Sequence, residues 1–239
     1  MQRNRLMKTI SLVFLTTGLA ISINHSVTAA PITTLFSTGM ADATTPLPDT
    51  AVDPHYTLTQ VPPGALFGPA TYVADSSAYP LASDEWLANN STSKWISAQA
   101  DQGTFPNDPG SGDYIFHTTF DLTGFDPATA QISGQWTMDN YSPDLRLNGV
   151  STGITALEPD FTVFQSFSIT SGFVAGLNTL DFHVHNEPYF GNVNPMGLRV
   201  ELSGTAELVP EPSALLHAAM TLIAAGGLRA RRRRTLRTT

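Results

Sequence analysis

Apolar and polar residues alternate with a period of two through most of the chain, which is typical of β-strands with one buried face. The alternation is clearest in five stretches, Tyr114 to Leu122, Ile132 to Met138, Leu145 to Leu147, Leu180 to Val184 and Leu198 to Leu202. Since each stretch has one apolar face, two stacked antiparallel sheets would bury all of them together. The pattern therefore predicts an all-β, antiparallel β-sandwich.

Turn-forming residues separate these stretches. The pair Asn148-Gly149 predicts a tight hairpin turn, because both residue types accept a positive φ. Within the body of the chain, helix is predicted only as single turns, such as near Ser83 to Leu87. Further strands are predicted at Phe161 to Ile169, Tyr72 to Val73 and Lys94 to Ile96. We therefore expect residues 30–208 to form one domain, with a less regular first third.

The chain begins with a basic and then an apolar segment. Three basic residues and no acidic ones give residues 1–29 a net charge of +3, and an apolar run follows from Ile10 to Ile23. Small residues come next, as they do before the cleavage point of a secretory signal peptide. We therefore predict an N-terminal signal helix, passage through the export translocon, and removal by signal peptidase after Ala29.

Residues 209–239 contain three parts in a fixed order. The motif Val209, Pro210, Glu211 and Pro212 comes first, an apolar run follows from Ala214 to Leu228, and a basic cluster comes last. The cluster contains Arg231, Arg232, Arg233 and Arg234. The apolar run would form a helix about 22 Å long, which flanking residues can extend towards the ~30 Å of a bilayer core. We predict a C-terminal transmembrane helix with its arginines on the cytoplasmic side.

This tail resembles the PEP-CTERM sorting signal of Gram-negative, exopolysaccharide-producing bacteria. The motif, the apolar run and the terminal arginines carry the resemblance, although His217 within the apolar run departs from the usual pattern. The resemblance implies that an exosortase-type protease processes the protein as its substrate. It also implies anchoring in the inner membrane before sorting, followed by residence at the cell surface or in the extracellular matrix.

The body of the chain resembles a galactose-binding-like jelly-roll domain over roughly residues 50–206. The short sequence segments that carry this resemblance are Phe120-Asp121-Leu122, Gly134-Gln135-Trp136, Leu147-Asn148-Gly149, Gly176-Leu177-Asn178 and Gly197-Leu198-Arg199. The resemblance implies a jelly-roll β-sandwich. Because this fold carries lectin-like, enzyme-accessory and structural modules, it does not fix the ligand.

Charge and cysteine content exclude several classes of function. Residues 30–208 hold 19 acidic residues against Lys94, Arg146 and Arg199, which gives a net charge of -16. A body this acidic repels phosphate backbones, so we expect no nucleic-acid partner. The chain has no cysteine, which excludes disulfide bonds, thiolate metal sites and a cysteine nucleophile.

Two patterns are candidates for metal binding. Asp181, His183 and His185 alternate along one strand, and such side chains bind Zn or Fe. A single strand supplies only one edge of a site, so an exposed polar face is the simpler expectation. For a structural Ca²⁺ ion, the candidate ligands are Asp139, Asn140 and Asp144, and alternatively Asp42, Asp49 and Asp53. Turns rich in Asp and Asn also form without a metal, so both interpretations stay open.

Aromatic side chains stack on sugar rings, and the chain has three tryptophans. Trp136 alternates with core residues and is expected to pack in the core. Trp86 lies in an irregular stretch and is the candidate for contact with carbohydrate. We group it with the loop residues Asp139, Asn140 and Tyr141 as a candidate ligand-binding set.

Recognisable catalytic motifs are absent from the sequence. It contains no Gly-x-Ser-x-Gly, His-Glu-x-x-His, phosphate-binding loop or dinucleotide fingerprint. We therefore expect a non-enzymatic exported protein that contacts exopolysaccharide or has a structural role. A secreted polysaccharide hydrolase is the alternative, because two carboxylates suffice for that reaction.

Overall fold

The computed structural model describes residues 28–63, 65, 67–102, 110–157, 161–188 and 193–209. The predicted signal peptide and sorting segment lie outside these ranges, except for Thr28, Ala29 and Val209. Within the ranges, no helix has the length and apolar character that crossing a membrane requires.

The described part of the chain contains eleven β-strands and one short helical turn, joined by turns and loops. The strands are β1 (Ala29–Pro31), β2 (Val52–Gln60), β3 (Ala70–Val73), β4 (Ile96–Ser97), β5 (Gly112–Asp121), β6 (Phe125–Asp139), β7 (Tyr141–Leu147), β8 (Val150–Ser151), β9 (Gln165–Ile169), β10 (Leu177–Asn186) and β11 (Gly197–Leu208). The helical turn is a 3-10 turn at Leu81–Ser83, two residues before its predicted start. The predicted all-β class is confirmed.

The strands form one antiparallel sheet in the order β8-β7-β10-β5-β2-β3-β4-β11-β6-β9, with β1 beside β11. We call the first five strands of this order the front half and the last five the back half. The sheet curls so that the two halves face each other across the main core. The ring of Trp136 from the back half lies 6.0 Å from that of Phe182 from the front half.

The predicted hairpin turn at Asn148-Gly149 joins β7 to β8. Asn148 has φ 52° and Gly149 has φ 76°, which is the left-handed pair that a tight two-residue turn requires. The Asn148 side chain also donates to the Asn178 side chain at 2.9 Å and to the Gly172 carbonyl at 3.0 Å. The turn is therefore fixed both by its backbone and by its side chain.

A second, smaller core covers the outer side of the back half. It contains Ala74, Leu81, Trp86 and Trp95, with Phe161 packed against it. The Trp86 and Trp95 rings stack at 4.2 Å. They close against Gly197 of β11, where a Cβ atom would lie 2.7 Å from the Trp86 ring. We call residues 74–95 the covering loop.

The strand predicted from Phe161 to Ile169 is confirmed only as the shorter β9. The Phe161 carbonyl accepts a hydrogen bond from the Leu87 backbone at 2.8 Å. The Phe164 ring lies 4.8 Å from the guanidinium carbon of Arg199. These contacts hold the segment against the covering loop, so it does not continue the pairing with β6.

The first and last described segments lie side by side. In the pairing of β1 with β11, Ala30 is opposite Ala206 and Pro31 is opposite Thr205. Beyond β11, the Val209 backbone donates to the Gly124 carbonyl at 2.8 Å. Both ends of the described chain therefore leave the domain at one pole.

Candidate functional site

The outer surface of the front half is a polar face, which we call the histidine face. It is formed by the outward side chains of β2, β5, β10 and β7. Along β10, Leu180, Phe182 and Val184 are buried, whereas Asp181, His183 and His185 are half-buried on the outer side. The prediction that these three residues share one face is confirmed. The register of the neighbouring strands extends them into three rungs.

The first rung crosses five strands. It consists of Thr57, His117, Asp181, Arg146 and Ser151. His117 Nδ1 lies 2.6 Å from Asp181 Oδ1. Because an ionised carboxylate can only accept hydrogen bonds, Nδ1 carries the proton and donates it.

The second rung contains Ile115, His183 and Asp144. Asp144 accepts hydrogen bonds from Arg146 Nε and Ser151 Oγ, each at 2.7 Å. Burial alone would raise the pKa of Asp144, but these hydrogen bonds outweigh it and lower the pKa. Burial, together with the charge of Arg146, lowers the pKa of His183. At neutral pH this rung therefore pairs an ionised carboxylate with a neutral imidazole.

The third rung contains Asp113, His185 and Tyr141. His185 Nδ1 lies 2.5 Å from Asp113 Oδ1, and the Tyr141 ring stacks on the imidazole at 4.9 Å. Burial and the neighbouring Glu187 carboxylate raise the pKa of Tyr141, so its hydroxyl is neutral near pH 7. Tyr141, predicted as a ligand-binding residue, therefore lies on the histidine face beside two carboxylates.

The opposite end of the histidine face contains a shallow cleft of about 260 Å³. His55 lines it and stacks on Phe36 with ring centroids 3.7 Å apart. Leu177, also in the lining, is 66% exposed. With His55 included, the face holds every histidine of the described residues: His55, His117, His183 and His185.

Two of the other predicted carbohydrate residues, Trp86 and Asp139, lie on the back half. Trp86 is only 2% exposed, and its Nε1 donates to Asp139 Oδ2 at 2.9 Å. The structure corrects the prediction that Trp86 offers a ring face to sugar, because Trp95 and Gly197 cover the ring. Burial raises the pKa of Asp139 to about 7. Asn140 instead contacts the front half, where its Oδ1 accepts a hydrogen bond from the Glu187 backbone N–H at 2.7 Å.

The carboxylates considered for Ca²⁺ have separate structural roles. Asp139 and Asp144 lie on different halves of the sheet, as the contacts above show. Asp42 accepts from backbone amides of its own turn, and Asp49 pairs with Lys94 at 2.8 Å. Asp53 is buried and accepts from the Gly39 backbone at 2.7 Å. Across the described ranges, no three His, Asp or Glu side chains are grouped as metal ligands.

Sequence reasoning missed a polar groove of about 460 Å³ on the back half. Glu201 lines it together with serine, threonine and glutamine side chains. Its Oε1 accepts hydrogen bonds from Asn90 at 3.0 Å, Thr92 at 2.8 Å and Ser93 at 3.0 Å. Burial alone would raise the pKa of Glu201, but the hydrogen bonds lower it. The carboxylate therefore anchors the end of the covering loop to β11.

Sequence reasoning also missed the partners of the β10 histidines. His117 and Asp113 sit on the polar side of the alternating stretch that became β5, and Arg146 sits on the polar side of β7. The alternation signals their outward direction. Only the register between distant strands brings them next to His183 and His185.

Of the predicted sorting motif, the described residues include only Val209, which is 52% exposed. Pro210, Glu211, Pro212 and the four terminal arginines lie outside them. In comparisons with known proteins, no family model, curated protein or solved structure matches this chain.

Proposed function

We propose that this protein is an exported, non-catalytic surface module that contacts polysaccharide through the histidine face. The observation that carries the proposal is that partly exposed imidazoles, carboxylates, one guanidinium and the Tyr141 ring share one face of the sheet. Carbohydrate sites combine fixed hydrogen-bonding groups with an aromatic surface. The likeness to a galactose-binding-like jelly roll, a fold that carries lectin modules, supports the same function.

The two terminal segments supply the second part of the proposal. Signal peptidase removes residues 1–29, and an exosortase-type protease recognises the motif from Val209 to Pro212. Before sorting, the tail anchors the protein in the inner membrane, with the terminal arginines on the cytoplasmic side and the acidic body outside. The charge distribution of +3, -16 and +5 along the chain supports this topology.

Mass spectrometry of the protein isolated from exporting cells tests the sorting. We expect a mature amino terminus at Ala30 and loss of the tail. A variant with Glu211→Ala and Pro212→Ala should keep the tail and accumulate in the inner membrane. The matched substitutions Glu207→Ala and Ser213→Ala, which leave the motif intact, should be processed normally. An intact, unprocessed chain in the cytosol would contradict the proposed export.

Binding of the exported protein to a panel of immobilised polysaccharides tests the role of the face. Tyr141→Ala should weaken binding by about tenfold, which is the loss expected from one aromatic stacking contact. Tyr79→Ala removes another partly exposed tyrosine, 37% exposed and outside the face, and should leave binding unchanged. Reducing ends should not accumulate during incubation. Their accumulation would instead identify the protein as the alternative hydrolase.

A further inference from the structure

Positive charge is scarce outside the two terminal segments. Residues 30–208 contain Lys94, Arg146 and Arg199 as their only Lys or Arg residues. Lys94 is paired with Asp49 and 17% exposed, and the Arg199 side chain is 1% exposed beneath the covering loop. Arg146 is 44% exposed, and it lies on the histidine face. The accessible permanent cation of the described residues is therefore on this face.

The titratable imidazoles lie on the same face. Histidine is the side chain whose ordinary pKa brings a change of charge between about pH 5 and 8. By contrast, the outer side of the back half carries hydroxyls, amides and carboxylates but none of the described histidines, as in Ser133, Gln135, Ser166, Ser168, Glu201 and Ser203. Within the described ranges, protonation of imidazoles therefore adds positive charge on the histidine face alone.

The acidic groups of the histidine face decide how large this change is. They are Asp113, Asp121, Asp144, Asp181 and Glu187. With Arg146 as the permanent cation and Tyr141 neutral, the net charge is -4 when the four imidazoles are neutral and zero when all are protonated. Since burial and the charge of Arg146 lower the pKa of His183, that imidazole resists protonation, and the face becomes less anionic as the pH falls.

In the first two rungs, the cationic groups are more accessible than the carboxylates. The side chains of Asp144 and Asp181 are 15% and 19% exposed, whereas those of Arg146 and His117 are 44% and 28% exposed. Each of these carboxylates therefore lies partly beneath the cationic group that it binds. In the third rung the order is reversed, because the side chain of Asp113 is 63% exposed and that of His185 is 26% exposed. On acidification, a ligand at the first two rungs therefore meets N–H donors with a positive charge first.

We propose that the histidine face binds acidic polysaccharide, of the uronic acid class, in mildly acidic surroundings and releases it at neutral or alkaline pH. This inference rests on the proposed function and names its ligand class. A polyanion is repelled by a body with a net charge of -16, so it can lie only where protonated imidazoles join Arg146. Hydrogen bonds from charged N–H donors to carboxylates are about twice as strong as neutral ones.

The test uses the exported protein with two polymers of one backbone. Polygalacturonate is the anionic probe, and fully methyl-esterified polygalacturonate is the uncharged control. We expect polygalacturonate to bind about tenfold or more tightly at about pH 5 than at about pH 8, a range over which imidazole loses its charge. Binding of the ester should be weaker at about pH 5 and independent of pH.

Variants test whether the face itself is responsible. The triple variant H117Q/H183Q/H185Q keeps hydrogen-bonding side chains but should lose the tighter binding at acidic pH. Adding Ser168→His, on the exposed outer side of β9, restores one titratable charge on the back half and should not restore binding. Arg146→Gln changes a single exposed residue and should weaken binding at acidic pH. Thermal melting verifies that each variant is folded.

The outcomes separate this inference from the function on which it rests. Binding that depends on Tyr141 but is equal at both pH values, or equal for both polymers, would overturn the inference and keep the proposed function. Restoration of binding by Ser168→His would also overturn the inference. It would mean that the net charge of the protein, and not the histidine face, determines binding. Failure of every tested polysaccharide to bind at either pH would overturn both.

Discussion

The buried carboxyl of Asp139 is a source of pH dependence within the domain. It is 5% exposed, and Trp86 Nε1 donates to one of its oxygens. Burial in an apolar site disfavours the charged form and raises the pKa from 3.8 to about 7. A folded-state pKa above the unfolded value means that the stabilising contribution of the carboxyl is complete below about pH 4 and is lost as the pH rises through 7.

We predict that Asp139→Asn stabilises the protein increasingly as the pH rises. Asparagine keeps an acceptor for Trp86 but carries no charge, so it avoids the cost of ionisation. The gain in free energy of unfolding should grow by about 1.4 kcal/mol per pH unit between about pH 4 and 7, up to about 4 kcal/mol, and then stay constant. Urea unfolding of the full-length chain across this range measures it.

Asp84→Asn is the control for this prediction. Asp84 is exposed, and its φ of 57° is a conformation that asparagine also adopts readily. It should show no gain that depends on pH. Parallel stability curves for Asp139→Asn and the parent protein would show that the carboxyl is not perturbed in the folded state.

Sequence patterns predicted the burial of one tryptophan correctly and that of another incorrectly. Trp136 alternates with apolar neighbours, and it is buried as expected. Trp86 lies in an irregular stretch that gives no periodic signal, and its burial depends on Trp95 and on the missing side chain of Gly197. Those contacts join segments far apart in the chain, so local sequence does not reveal them.

The register between neighbouring strands determines which side chains meet on the histidine face. Alternation along β10 was sufficient to predict that Asp181, His183 and His185 point to the same side. Their hydrogen-bonding partners come from the register that sets β10 against β5, which pairs Asp181 with His117 and His185 with Asp113. A shift of one residue would turn one of the two strands over and break every rung. Periodicity predicts which face a residue occupies, but it does not predict its partner on the next strand.

A prediction at this scale concerns the attachment of the covering loop to β11. Glu201→Ala removes the acceptor of Asn90, Thr92 and Ser93, so it should cost about 1–3 kcal/mol of stability. Amide hydrogen exchange of residues 90–93 should accelerate more than that of β6. Mass-resolved exchange on the full-length chain measures both effects.

Two further variants sharpen this test. Glu201→Gln keeps one oxygen acceptor and should have an intermediate effect. Glu207→Ala removes a carboxylate from the same strand but not from the loop, and it should leave exchange at residues 90–93 unchanged. Equal acceleration in both alanine variants would mean that the strand, and not the Glu201 network, holds the loop.

The whole molecule combines an acidic body with two ends that leave it together. Because the chain has no cysteine, an introduced pair reports on this geometry without interference. Pro31→Cys with Thr205→Cys places thiols on directly opposed, exposed positions of β1 and β11, so a disulfide should form on oxidation. Gel mobility without reductant detects it, and thermal melting should show stabilisation of about 3–5 kcal/mol.

The control pair is Pro31→Cys with Ser203→Cys, which moves one thiol two residues along β11. The two α-carbons are then too far apart for a disulfide without movement of the backbone. Equal cross-linking of the two pairs would show that β1 does not hold the register described here.

The side-by-side exit of the two ends also determines how the domain responds to force. Tension applied between the two ends of the domain would separate β1 from β11 one hydrogen bond at a time. Sequential breakage of this kind requires little force. Tension that enters at Leu208 and is resisted elsewhere in the domain instead loads β11 from its C-terminal end. That strand pairs with β6 from Gly197 to Leu208, so its ladder would be sheared as a unit. The long ladder between β11 and β6 therefore resists a pull at the C-terminal end of the domain better than the short pairing of β1 does.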